Sequence, residues 1–117
     1  KKYPDCAFQV MDTSDDRLDG FFDYIVICGV FNLNVPGVAD DMKEALLTLF
    51  KHCNRGMALN CLSAHTPVKD PELNYTSPEE VVRFTLENLS PYFALSHDRV
   101  QDDFTLYIYT GLNAVEL

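Results

Sequence analysis

The sequence predicts an α/β domain with a mostly parallel sheet that closes in an antiparallel hairpin, and three observations predict it. The run F-F-D-Y-I-V-I-C-G-V-F-N-L from Phe21 to Leu33 is β-branched and aromatic without alternation, as in a strand buried on both faces of a parallel sheet. Strand-like runs alternate along the chain with segments of helical spacing, the order that places helices over the faces of such a sheet. Near the end, Gln101-Asp102-Asp103 reads as a turn between two strand-like runs, too tight for a parallel return, which needs about a dozen residues or more. With 117 residues the chain holds one domain, residues 1–117, since domains commonly take ~100 to 200.

Taken in order, C-A-F-Q-V-M from Cys6 to Met11 reads as a short strand that stops at the turn and cap formers Asp12-Thr13-Ser14-Asp15-Asp16. A short link leads to the Phe21–Leu33 strand. After Asn34-Val35-Pro36-Gly37, the apolar residues Met42, Leu46, Leu49, Phe50 and Cys53 recur at spacings of three and four. Asp40 and Asp41 stand early in that segment and Lys51 and His52 late, so Val38 to Cys53 is predicted as an amphipathic helix ending near Asn54-Arg55-Gly56. M-A-L-N-C-L-S from Met57 to Ser63 is a second buried strand. A polar excursion from Ala64 to Ser77 follows, of a length often used for lids or insertions. Ser77-Pro78-Glu79-Glu80 opens a helix with a capping hydroxyl, a proline at the first helical position and an acidic first turn. Strands around Tyr92–His97 and Phe104–Tyr109 complete the order.

Hydrophobic residues at 47% and charged residues at 23% match ordinary globular chains and set aside disordered, collagenous and disulfide-scaffold classes. Eighteen acidic against nine basic side chains give a formal charge of −9, which repels phosphate backbones and anionic membranes and disfavours sequence-independent nucleic-acid binding. No apolar stretch approaches the ~20 residues of a membrane helix, so a soluble protein without a membrane partner is expected. Cys6, Cys28, Cys53 and Cys61 form no C-x-x-C pair, and Cys28 and Cys61 lie in apolar runs, which suits reduced thiols and a cytoplasmic location. The chain starts Lys1-Lys2-Tyr3 without an initiator Met, which suggests that its beginning is missing.

Three segments, F-Q-V-M-D at Phe8 to Asp12, F-D-Y-I-V-I-C-G-V-F-N-L at Phe22 to Leu33 and D-D-F-T-L-Y-I-Y at Asp102 to Tyr109, carry a resemblance. In this order and spacing the chain resembles the C-terminal half of class I S-adenosylmethionine-dependent methyltransferases, the three segments standing for that family's third, fourth and last strands. The resemblance implies a Rossmann-like methyltransferase sheet lacking its first two strands. The family's Gly-rich cofactor loop has no counterpart, because Gly20, Gly29, Gly37, Gly56 and Gly111 never cluster. It further implies S-adenosylmethionine as cofactor, weak or absent cofactor binding by this chain alone, and methyl transfer to a small-molecule or glycan-like acceptor as part of a longer chain. The rival expectation is a non-catalytic α/β interaction module that has lost cofactor binding, with a homodimer formed through an exposed sheet edge.

The site residues follow from the same resemblance. Asp12 matches the position whose carboxylate accepts a hydrogen bond from the adenine amino group, and Thr13 offers its N–H nearby; the alternative is a turn or cap. Cys28, Gly29 and Val30 fall at the carboxyl edge of a strand, where ligands bind in open α/β sheets. A glycine there allows close approach of the cofactor or serves a packing bend. Phe31 and Asn32 match the side of the methyl-acceptor, Asn32 either orienting a substrate or satisfying its loop. The residues themselves offer three histidines, whose spacing fits no metal motif and no H-x-x-x-H pair. His65, after a strand and within the long loop, is the candidate for substrate-side chemistry. His52 reads as a cation near a helix end, and His97 as a surface partner of Asp98.

Overall fold

A computed structural model describes residues 4–9, 18–98 and 102–111. Within them the elements run β1 (Phe22–Cys28), α1 (Val38–Phe50), β2 (Cys53–Leu62), α2 (Pro78–Asn88), β3 (Tyr92–Ser96) and β4 (Asp103–Tyr109). The four strands form one sheet in the order β1-β2-β4-β3. β1 runs parallel to β2, and β4 runs antiparallel to both β2 and β3. Three strands therefore point one way, and β4 is inserted between two of them. The expected hairpin is present, and its second strand also continues the ladder onto β2.

Both crossovers, β1-α1-β2 and β2-α2-β3, step in the same direction across the sheet, so their common handedness puts both helices on one face. One apolar cluster results: Ile27, Met57, Leu59, Cys61, Phe104, Leu106 and Ile108 from the sheet meet Met42 and Leu46 of α1 and Val81 of α2. The register keeps like faces together, with Ile27 beside Leu59 and Leu59 beside Leu106. The other face carries Tyr24, Val26, Ala58, Tyr107 and Tyr109, which line a groove of about 280 Å³. Val26 there is 72% exposed. Parallel sheets normally bury both faces; among the described residues no helix covers this one, and no strand pairs with the outer edge of β1.

Helix α2 starts as its sequence demands. Ser77 is the N-cap and its hydroxyl accepts from the Glu80 N–H at 3.3 Å, Pro78 follows, and Val81 and Thr85 turn inward. Helix α1 has no side-chain cap, and Gly37, at φ 77°, supplies its left-handed entry.

Four expectations change. The predicted Cys6–Met11 strand is not seen: residues 6–9 lie outside the sheet, and the rest of that run, with Asp12 and Thr13, lies outside the described residues. The first helix stops at Phe50 rather than Cys53, and β2 starts at Cys53 rather than Met57. Asn54-Arg55-Gly56 is thus strand and not a helix-ending turn. Gly56 is favoured there by close approach, since a Cβ would lie 3.0 Å from the Ile108 carbonyl oxygen and the backbone would have to give way slightly. The strand from Phe21 ends at Cys28, where Gly29 at φ 71° turns the chain.

Candidate functional site

The carboxyl ends of β1, β2 and β3 and the start of β4 lie at one end of the sheet, and the polar chemistry of the chain collects there. Gly29 leaves β1 in a left-handed conformation and donates its N–H to the Asn60 carbonyl at 3.3 Å. Cys28 and Val30 on either side are exposed, so this turn presents open backbone and two uncovered side chains. Asn32 faces back into the protein: its Oδ1 accepts from the Leu62 N–H at 3.3 Å, and its carbonyl accepts from the Asn74 N–H at 2.9 Å. Asn74 Nδ2 donates to the Phe31 carbonyl at 2.8 Å, and Asn34 Nδ2 donates to the Pro71 carbonyl at 3.1 Å. The turn after β1 is thereby laced to the loop after β2.

The long loop is accordingly pinned at both ends. Leu33 bridges Leu73, Ser63 bridges Thr76, and the Thr76 N–H donates to the Leu62 carbonyl at 2.8 Å. The Tyr75 hydroxyl accepts from the Asp70 N–H at 2.9 Å, with Lys69 over its ring, so this aromatic anchors the loop to itself. Thr66 donates to Asp102 at 2.5 Å, tying the loop to the start of β4.

Two histidines meet at this end. His65 Nε2 lies 2.7 Å from Glu79 Oε1 in the first turn of α2. That hydrogen bond is the main cause holding the Glu79 carboxyl below its ordinary value. His97 Nε2 lies 2.6 Å from Ser63 Oγ, its ring stacks on Phe104 at 6.3 Å and 8°, and it meets the His65 ring edge-on at 6.1 Å. His97 is therefore not the partner of Asp98, which instead accepts from the Ser96 hydroxyl at 2.8 Å. Strand β3 ends at Ser96, and the residue after it turns back over Phe104. His52 lies past the end of α1 and donates from Nδ1 to the Gly20 carbonyl at 2.7 Å, a tie to the segment before β1. Ser63 and His97 were hidden from sequence reasoning because they stand 34 residues apart and only the β2-β4-β3 order joins them. A buried serine at the end of an apolar strand was the one available signal.

No family model matches the sequence, and no curated relative matches it. Among solved structures, 89% of the chain is similar to magnesium protoporphyrin IX methyltransferase from Synechocystis PCC 6803 with bound SAH, with a TM-score of 0.62. The same enzyme with bound SAM gives a TM-score of 0.60 over 89% of the chain. The domain is similar in fold to part of a methyltransferase. Identity is 12% in both cases, so the likeness is one of architecture. The chain spans about half of those structures, 50% and 45% of their chains.

Among the described residues no group of three His, Cys, Asp or Glu side chains is placed to hold a metal ion, and no helix is long and apolar enough to cross a membrane. The cysteines differ sharply. Burial pushes the Cys61 thiol up to about 11, whereas Cys28 is exposed beside the Gly29 turn. A thiol reacts as its thiolate. Iodoacetamide at pH 8, followed by peptide mass mapping, should modify Cys28 within the time that leaves Cys61 untouched. Equal labelling of the two would contradict the buried placement of Cys61.

Proposed function

We infer that this chain is the acceptor-side half of an S-adenosylmethionine-dependent methyltransferase of Rossmann-like, class I type, acting on a small-molecule or glycan-like substrate. The rest of the cofactor site comes from a longer polypeptide or a partner. The observation that carries this reading is the fold likeness over 89% of the chain to structures holding SAH and SAM. The residues fit one wall of such a site: Gly29 at φ 71° needs its freedom, its missing Cβ would meet only Asn32 Nδ2 at 3.4 Å, and Cys28 and Val30 flank it openly. Cys28, Gly29 and Val30 would contact the cofactor there, with Asp12 and Thr13 toward its adenine. Phe31, Asn32 and His65 belong to the acceptor side, where Asn32 acts by fixing the end of β2. When bound, S-adenosylmethionine supplies an electrophilic methyl on sulfur; the protein's contribution is to hold donor and acceptor in line.

The test is calorimetric titration of S-adenosylhomocysteine into the 117-residue chain and into a longer natural polypeptide containing it, with Asp12→Ala and Gly29→Val beside each. Binding by the longer chain that weakens tenfold or more in either variant supports the reading. A folded longer chain with no binding overturns it.

A second reading, a non-catalytic interaction module, is favoured by one observation: the apolar sheet face with Tyr24 50% and Val26 72% exposed, next to the β1 edge. Two copies joining through that edge would form a homodimer with a continuous sheet. Sedimentation showing such a dimer, with no cofactor binding in any form, would favour the module.

A further inference from the structure

The hydrogen bonds at the carboxyl end of the sheet fix which nitrogen of each histidine carries the proton. Ser63 is 0% exposed, and its Oγ accepts from the His65 N–H at 3.1 Å. The hydroxyl proton of a buried serine needs an acceptor. Among the described residues the only one in reach is His97 Nε2, at 2.6 Å. Ser63 O–H therefore donates to Nε2, and the neutral His97 ring carries its proton on Nδ1. His65 is fixed the opposite way. Its Nε2 faces the Glu79 carboxylate, a group that only accepts, so Nε2 carries the proton and Nδ1 of the neutral ring is a bare lone pair.

Neither Nδ1 has a hydrogen-bond partner among the described residues, and the other nearby acids are engaged elsewhere, Asp102 by Thr66 and Asp98 by Ser96. The His65 side chain is 57% exposed, so a ligand can reach it. His97 is held flat on Phe104 and fixed at Nε2. Two adjacent rings, 6.1 Å apart, thus offer one acceptor and one donor. A hydroxyl group needs both, because it gives one proton and accepts another on the same oxygen. A carboxylate has no proton to give, and an ammonium has no lone pair to receive the His97 proton.

We propose that His65 and His97 form the subsite for a hydroxyl of the methyl acceptor, with His97 Nδ1–H holding the oxygen and His65 Nδ1 taking its proton. This names the acceptor class of the methyl-transfer reading and rests on it. As the oxygen's electron pair forms the new O–C bond, the pair of the broken S–C bond stays on sulfur and neutralises the sulfonium. The hydroxyl proton passes to His65 Nδ1, leaving an imidazolium opposite the Glu79 carboxylate. Ser63 and Glu79 are positioning residues, each setting the tautomer of the ring it touches.

Ring-nitrogen NMR of the 15N-labelled chain, above the titration of both histidines, tests the arrangement without any cofactor. The expected result is His97 protonated on Nδ1 and His65 on Nε2. Ser63→Ala should release the His97 tautomer alone, and Glu79→Ala the His65 tautomer alone. Phenol should shift both Nδ1 signals, whereas anisole, which lacks the hydroxyl proton, should shift neither. The same tautomer in both wild-type rings, or equal responses to phenol and anisole, would overturn the proposal. The wild-type spectrum alone decides the first point if a variant fails to fold. A chain that meets these expectations while no form of it binds S-adenosylhomocysteine keeps its hydroxyl site and loses the methyl-transfer reading.

Discussion

Phe104→Ala is expected to lower the stability of the domain by about 3–5 kcal/mol, against a total of about 5–15 for ordinary domains. Phe104 is 1% exposed and lies in β4, opposite Cys61 of β2, so its ring sits where the inserted strand meets the core. Its backbone carbonyl accepts from Asn60 Nδ2 at 3.2 Å, a bond that truncation leaves intact, so the loss is one of packing and cavity. The ring also carries the stacked imidazole of His97. Phe104→Leu separates the two roles: it refills most of the volume, costing about 1.5 kcal/mol or less, but offers His97 no flat surface. Urea unfolding should show a large fall in midpoint for alanine and a small one for leucine, while the ring-nitrogen signals of His97 move in both. A midpoint for Phe104→Ala within error of the wild type would mean that β4 is not seated between β2 and β3 as described.

The sheet position of Phe104 also shows where sequence reasoning stops. The pattern F-T-L-Y-I-Y alternates plainly, and the short turn before it fixes an antiparallel pair with β3. Its insertion beside β2 is a long-range pairing that no local spacing reports. Helix α2 was legible to the residue at its start, since Ser77, Pro78 and the acidic turn act locally. The end of α1 was not, because Cys53 fits the helical spacing and is nevertheless drawn into β2 by pairing with Phe22. At the site, the Gly29 turn was visible as a glycine ending an apolar run. Asn32 was legible as a polar residue beyond that strand, but its bond to Leu62 depends on the β1-β2 register. His65 was singled out by position. His97 was assigned to its chain neighbour Asp98, whereas the ring follows the sheet to Ser63. In each case contacts between close neighbours were readable, and contacts set by strand order were not.

Adjacent residues of β1 should respond in opposite ways to the same charge. Ile27 is 5% exposed and points into the core beside Leu59, so Ile27→Asp removes apolar burial and places a carboxyl among Met57, Leu106 and Met42 with nothing to hydrogen-bond it. The cost is about 4 kcal/mol or more, most or all of the stability of a domain near the lower end of the ordinary range. Val26, one residue earlier, points to the other face at 72% exposure. There an aspartate keeps its water, and only strand preference is lost, about 1 kcal/mol or less. Circular dichroism should show Ile27→Asp unfolded or melting far below the wild type, and Val26→Asp folded with a melting point close to it. The same two proteins also read the open face: a second copy or a further polypeptide segment docking there would meet Val26 directly. Any self-association of the wild-type chain in sedimentation should therefore disappear in Val26→Asp without loss of structure. An equal loss of stability in both variants would mean that the Val26 face is buried within the chain, and the case for a partner on that face would fall with it.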